Sequence, residues 1–176
     1  EGVGPLARRL WKQMASDGWA GIGWPKEYGG QGRTPIEQFV FFDESMRAGA
    51  PVPMLTINSV APTIMQYGSE EQKAFYLPKI LAGEIHFAIG YTEPEAGTDL
   101  ASLKTRAVRD GDEYVINGQK IWTSGGHYAD WLFALVRTDP EAPKHRGVTF
   151  LLMDITSPGI SIRPLVNMAD EHHFNE

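Results

Sequence analysis

The sequence predicts a multidomain α+β chain. An all-helical N-terminal unit, residues 1–84, is followed by an antiparallel, β-barrel-like unit, residues 85–176. Three observations carry this. Apolar residues recur at helical spacing up to about residue 82 and in short strand-length runs afterwards. Two capping boxes, Thr34-Pro35-Ile36-Glu37 and Ser69-Glu70-Glu71-Gln72, fall in the first half. Two hairpin dipeptides, Asp110-Gly111 and Asn117-Gly118, fall in the second.

In order along the chain, Leu6, Leu10 and Met14 repeat every four residues and stop at Gly18, which predicts a first helix. The stretch WAGIGWPKEYGGQG, residues 19–32, reads as a structured loop. The helix opened by Thr34 has proline at its first position, carries Phe39, Val40 and Phe42, and ends near Gly49. Leu55, Ile57, Val60, Ile64 and Met65 mark a third helical run that Pro62 should kink. Because Pro51 and Pro53 deny donors and disfavour helix before them, that run should start late, near Leu55. Gly68 ends it, and the Ser69 box opens a fourth helix that closes at Leu81-Ala82-Gly83. Beyond lie strands at His86–Tyr91, at Thr105–Arg109, Glu113–Ile116 and Gln119–Trp122 as a meander, and at Trp131–Arg137, Gly147–Ile155 and Ile160–Arg163.

Composition excludes several classes of function. The chain has 176 residues with 16 basic and 22 acidic groups, a net charge of −6, and neither half is basic. Nucleic acid and anionic membrane are poor partners for such a surface. No apolar run reaches the roughly 18 residues a membrane span needs, and no signal-peptide pattern opens the chain. Cysteine is absent, which removes disulfides and thiolate metal sites and fits a reducing, cytoplasmic setting. Glu1-Gly2-Val3-Gly4-Pro5 lacks an initiator methionine and His172-His173-Phe174-Asn175-Glu176 ends without a turn or cap, so the chain reads as an interior piece of a longer protein.

Four stretches could carry chemistry. GIGWPKEYGGQG lacks the third glycine of a dinucleotide fingerprint, since Lys26 stands there, and Pro25 removes a donor where a helix should open; an interhelix loop is the better reading. His172 and His173 are adjacent, so on a strand they point to opposite faces, and His86 and His127 lie far away in sequence; no metal site is assigned. YTEPEAGTDL, residues 91–100, follows an apolar run with a proline, a glycine and two threonines. A strand-to-strand turn explains it, and so does an anion-binding concavity of backbone N–H groups flanked by hydroxyls. GQKIWTSGG, residues 118–126, places Trp122 and Ser124 two apart, hence on one face of an extended chain. That is a surface for a flat heterocycle, or the end of a core strand.

Taken together, TEP-x-AG-T-D followed by NGQK-x-W-T-S, with GWP-x-EYGG-x-G and YGSEEQK-x-x-YLPK-I upstream, resembles the acyl-CoA dehydrogenase family, and in particular its actinobacterial steroid side-chain members. The resemblance implies an N-terminal helical domain, a middle β domain and a C-terminal four-helix domain, the last absent from this chain. It implies FAD as cofactor. By position in the motifs, Ile89 and Tyr91 offer backbone contacts, Thr92 bonds the flavin pyrimidine edge, and the Gly97 N–H reaches a flavin carbonyl. Thr98 sits between the FAD phosphate and the CoA tail of the substrate. Trp122 covers the flavin face away from substrate, Thr123 follows it, and Ser124 bonds N5. Departures from the family pattern are Ile89 where tyrosine is common, Thr98 where serine is, and Ser124 where threonine is; both hydroxyls survive.

The implied reaction is α,β-desaturation of an acyl-CoA thioester. Electrons pass through FAD to an external acceptor, such as an electron-transfer flavoprotein. The family's carboxylate base lies in the absent C-terminal part, and Glu93 and Asp99 belong to loop architecture, so no catalytic residue is assigned and the chain alone is expected to be inactive. Two alternatives stay open: a non-catalytic FAD-binding subunit of a heteromeric dehydrogenase, and an acyl-CoA oxidase. A homo- or hetero-oligomer is expected. The late start of the third helix implies a wide pocket for a bulky acyl group.

Overall fold

The computed structural model describes residues 4–176. The chain divides into two compact units, Glu1–His86 and Phe87–Glu176.

The first unit is helical: α1 Pro5–Ser16, α2 Pro35–Arg47, α3 Ala61–Tyr67 and α4 Glu70–Leu81. Both capping boxes form: Thr34 accepts from the Glu37 N–H at 3.3 Å and Ser69 from the Gln72 N–H at 3.2 Å. Each satisfies a donor that a helix N-terminus otherwise leaves open. The anchor of α1 differs from the expected stripe. Leu6 and Leu10 are exposed, and Trp11 is the residue sealed in the core with Ile57, Val60, Leu77 and Ile80. A four-residue period drifts around a 3.6-residue helix, and the face that packs is the one carrying the Trp11 ring. On α2, Phe39 and Val40 are likewise exposed and Phe42 is the buried one.

The helix before α3 begins at Met54. Its next turn, Thr56–Val60, is a π turn in which the Ala61 N–H bonds the Thr56 carbonyl. This is the physical answer to Pro62. In a regular α-helix its ring would meet the Asn58 carbonyl; the wider turn makes room for a residue without a donor. The residue 19–32 loop is a packed structural element. Ala20, Ile22 and Trp24 are buried, and Gln31, Gly32 and Arg33 donate to the carbonyls of Gly21, Trp24 and Ile22 at 2.8–2.9 Å.

The second unit holds two sheets. The larger comprises β1 Phe87–Gly90, β2 Arg106–Asp110, β3 Glu113–Asn117, β5 Trp131–Arg137 and β6 Val148–Asp154. The smaller comprises β4 Thr123–Ser124, β7 Pro164–Val166 and β8 His172–Asn175. β2–β3, β5–β6, β4–β8 and β7–β8 are antiparallel, but β1 and β2 both run parallel to β5, so the larger sheet is mixed. Long connections between β1, β2 and β5 permit that arrangement where a tight hairpin would not. Ala107, Ala134 and Val136 form its core, with Ile116, Leu132, Leu151 and Met153 packed on them.

Three strand expectations shift. The Asp110-Gly111 signal marks a true hairpin: Asp110 pairs with Glu113 across a two-residue turn, Gly111-Asp112, with Gly111 at φ 61°. The Asn117-Gly118 signal does not. A Cβ on Gly118 would stand 2.6 Å from the Thr105 Cα, so this glycine marks a backbone crossing, and Gln119–Trp122 leaves the meander. Ile160–Arg163 is not a strand either; pairing begins at Arg163, which exchanges backbone bonds with Glu176 at 2.8 and 2.9 Å, and continues in β7.

Candidate functional site

The loop after β1 is folded on itself. Glu93 and Ala96 exchange backbone hydrogen bonds at 3.1 Å each, closing a turn over Pro94-Glu95. This sets Gly97 beside Thr92: a Cβ at Gly97 would meet Thr92 Cγ2 at 3.8 Å and nothing nearer. Gly97 has no positive φ. Neither backbone conformation nor crowding by the chain therefore demands glycine there. Close approach of a ligand to the backbone is one physical reason for a glycine at such a position.

The second stretch reaches the first through two bonds. The Ile121 N–H donates to the Thr92 carbonyl at 2.9 Å, and the Lys120 ammonium donates to the Tyr91 carbonyl at 3.1 Å. Lys120 also pairs with Glu93 at 2.8 Å, the two side chains being 11% and 8% exposed. Glu93 further accepts from the Lys104 N–H at 2.6 Å and the Thr105 N–H at 2.9 Å. Burial pushes the Glu93 carboxyl up, but the bonds from Lys120, Thr105 and Lys104 outweigh it and hold the group at about 2. Burial draws the Lys120 ammonium below its ordinary value, and Glu93 pulls it back. A buried carboxylate with all its bonds made is a fastener. Asp99 is exposed and paired with Lys144, which holds its carboxyl below the usual range. Neither acid is free to act as a base.

Trp122 sits at φ 60°, a left-handed conformation rare for a bulky residue. The sequence argument assumed a plain extended chain here, and the backbone departs from it. Exposure nevertheless alternates: Trp122 is 57% exposed, Thr123 is buried and Ser124 is exposed. β8 supports this strand. Ser124 pairs with Phe174, Thr123 with Asn175, and the Trp122 indole meets the Phe174 ring edge-on at 5.8 Å.

The structure therefore brings Thr92, Gly97 and the Trp122–Ser124 strand onto connected loops of one unit, with Thr98 exposed next to Gly97. Ile89 lies within β1 opposite Phe133. Tyr91 stands against Phe133 and Phe150 at 6.2 and 5.7 Å, and burial raises its phenol. Because the carbonyls of Tyr91 and Thr92 are taken, the edge these loops present is one of donors. Among the described residues the backbone N–H groups of Thr92, Gly97 and Thr98, and the hydroxyls of Thr92, Thr98 and Ser124, have no acceptor. Donors beside an indole fit the carbonyl-rich edge and the N5 lone pair of an isoalloxazine, so the residues present suit FAD.

The half-open pocket of this unit, about 870 Å³, is a different space. Thr123 is the one predicted cofactor residue on its wall, which otherwise runs over side chains such as Ile116, Leu132 and Val136. Among the described residues no group of His, Asp or Glu could hold a metal.

Sequence reading missed Lys120 and Asn175. The signal for Lys120 was a lysine inside the second motif, opposite in charge to the glutamate of the first. Asn175 left no signal, because its role depends on β8 lying beside β4. The histidines His127 and His172, distant in sequence, stack at 3.7 Å.

The acyl-CoA dehydrogenase N-terminal domain matches residues 2–84 and the middle domain of that family matches residues 88–173. FadE26 of Mycobacterium tuberculosis, an acyl-CoA dehydrogenase, is 60% identical over 171 residues, covering 96% of this chain and 43% of its own length. The solved Tcur3481-Tcur3483 steroid ACAD superposes with a TM-score of 0.94 at 56% identity, over 99% of this chain and 45% of that one. The ChsE4-ChsE5 complex from Mycobacterium tuberculosis gives 0.92 at 57% identity, over 97% of this chain and 44% of that one. This chain thus spans less than half the length of these relatives. Two consecutive domain matches, in the family's order and across nearly every residue, make this chain a member of the acyl-CoA dehydrogenase family, carrying its N-terminal and middle domains.

Proposed function

We propose that this chain supplies the flavin-binding part of an acyl-CoA dehydrogenase. That enzyme desaturates an acyl-CoA thioester between its α and β carbons and passes the electrons to a separate acceptor such as an electron-transfer flavoprotein. One observation supports this above the others: the donors of Thr92, Gly97, Thr98 and Ser124 have no acceptor, on two loops that the chain ties together through Glu93–Lys120 and Ile121–Thr92. FAD, when bound, supplies the hydride-accepting chemistry. The protein residues hold and orient it. Thr92 and Gly97 would donate to the pyrimidine edge, where donors stabilise the negative charge of the reduced ring. Ser124 would donate toward N5, Trp122 would cover one face, and Thr98 would meet the phosphate and the CoA tail. With Glu93 locked and Asp99 paired, the base that takes the α-proton comes from outside these loops, in the rest of the protein or in a partner chain.

The test is direct. Purified protein should carry or take up FAD and show an oxidised-flavin spectrum, and Ser124→Ala should weaken that binding. Protein that remains colourless after incubation with FAD would refute the reading.

The substrate we infer is a bulky thioester of the steroid side-chain kind. The late start at Met54, the two prolines before it and the π turn at Thr56–Val60 support a shortened, widened wall, and one similar solved structure, Tcur3481-Tcur3483, is a steroid ACAD. Turnover of bulky thioesters should exceed that of straight short-chain acyl-CoA; the reverse preference would sink the proposal. The likeness to a two-component complex favours a hetero-oligomer, which mass measurement of the native assembly would reveal.

A further inference from the structure

Asn175 is 1% exposed and makes three side-chain hydrogen bonds. Its Nδ2 donates to the Thr123 carbonyl at 3.0 Å. The same nitrogen lies 3.0 Å from His127 Nδ1, and its Oδ1 lies 2.7 Å from His172 Nε2. Because a carbonyl only accepts, Nδ2 must face Thr123, and the rest of the network then has one solution. His127 Nδ1 is a lone-pair acceptor, and His172 Nε2 carries a proton and donates. The two imidazoles stack on each other, 18° from parallel, which braces both. Every polar atom of the amide is thus used, and its orientation is fixed.

What the amide grips is the middle residue of Trp122-Thr123-Ser124. Trp122 at φ 60° is a strained position, and strain of that kind persists only when surrounding bonds over-determine it. On the upstream side the holding bond is Ile121 to Thr92. On the downstream side, β4 is only two residues long, so its ladder alone is weak; the Gly125 N–H to the His173 carbonyl at 3.0 Å and the Asn175 amide complete it.

We propose that Asn175 is a positioning residue for the cofactor: clamped by His127 and His172, it fixes the Thr123 carbonyl and thereby sets the Trp122 indole and the Ser124 hydroxyl toward FAD. This rests on the flavin-binding reading above. It assigns a role to β8, to which neither cofactor motif extends.

Asn175→Asp keeps the shape and can still accept from His172, but it cannot donate to Thr123. Hydrogen exchange of the apoprotein at residues 121–125 should become about tenfold faster, as expected from loss of a net hydrogen bond. In the holoprotein, the FAD dissociation constant should rise by about five- to tenfold. Combining Asn175→Asp with Ser124→Ala should raise it by less than the product of the two single effects, since the asparagine acts in part through the serine. His127→Phe, which keeps a ring against His172 and removes one acceptor, should move the same readouts less and carries the test if Asn175→Asp fails to fold. Unchanged exchange at residues 121–125, or effects of Asn175→Asp and Ser124→Ala that multiply, would overturn the proposal. Wild-type protein that binds no FAD would instead overturn the functional reading, and the exchange arm, read without flavin, would still decide whether Asn175 fixes the strand.

Discussion

Two glycine-bearing loops of this chain look alike on paper and differ in what their glycines do. In the residue 19–32 loop, a Cβ at Gly30 would press into the Trp24 backbone, and one at Gly21 would stand 2.6 Å from Leu81 Cδ1. Gly30 is required by the backbone beside it, and Gly21 is crowded by a leucine methyl. In the residue 91–100 loop, a Cβ at Gly97 would meet only Thr92 Cγ2, at an ordinary 3.8 Å. The fold does not require that glycine. The first loop closes on itself with backbone bonds; the second leaves donors outward and spends its carbonyls and its one buried acid on being held in place. A glycine that packing does not explain, next to donors without acceptors, is what distinguishes the proposed ligand loop from the structural one.

The strongest way to break that comparison is to unfasten the ligand loop. Lys120→Met should leave Glu93 buried without its partner and destabilise the protein by about 3–5 kcal/mol, measured by urea unfolding, with FAD binding lost alongside. The same pair gives a pH signature. With its pKa held down from 4.5 to about 2, Glu93 contributes stability that is present above about pH 4.5 and drains away as pH falls toward 2. An acid titration of unfolding should show that loss in the wild type and a smaller one in Glu93→Gln/Lys120→Met. Next in size, Gly30→Ala should cost about 2–3 kcal/mol through overpacking, with FAD affinity unchanged in the fraction that folds. Gly97→Ala should invert that result: stability within about 0.5 kcal/mol of wild type, FAD affinity down about tenfold by titration. Equal stability losses at Gly30 and Gly97 would erase the distinction. The smallest effect is Ser124→Ala, about 1 kcal/mol of FAD binding for one net hydrogen bond.

Much of the fold was legible because its signals are local. Thr34 and Ser69 announced their helices through bonds spanning three residues. Asp110-Gly111 announced its hairpin because a two-residue turn needs a left-handed glycine. Asn117-Gly118 gave the same signal for another cause, a backbone crossing against Thr105 that no local pattern reports. Leu6 and Leu10 satisfied a spacing rule while Trp11 took the core, since which face is buried depends on what packs against it. The residues of the proposed flavin site, Thr92, Gly97, Thr98, Trp122 and Ser124, come from two motifs; the bonds that join those motifs were not legible in either.

The sequence by itself determined the order of helical and β units, the places where helices start, and the residue types that can meet a flavin. Each of these is written in a few neighbouring residues, through caps, turns and side-chain chemistry. Only the tertiary structure decided that β1 and β2 run parallel to β5, that Pro62 is absorbed by a π turn, and that Glu93 is a fastener for Lys120. It also decided that His127, His172 and Asn175 close on Thr123. The Glu93–Lys120 and Asn175–Thr123 bonds join groups 27 and 52 residues apart in the chain, brought within hydrogen-bonding distance by the fold. Such pairs form only after the cores around them have packed, so their physical cause is not contained in any short stretch of sequence.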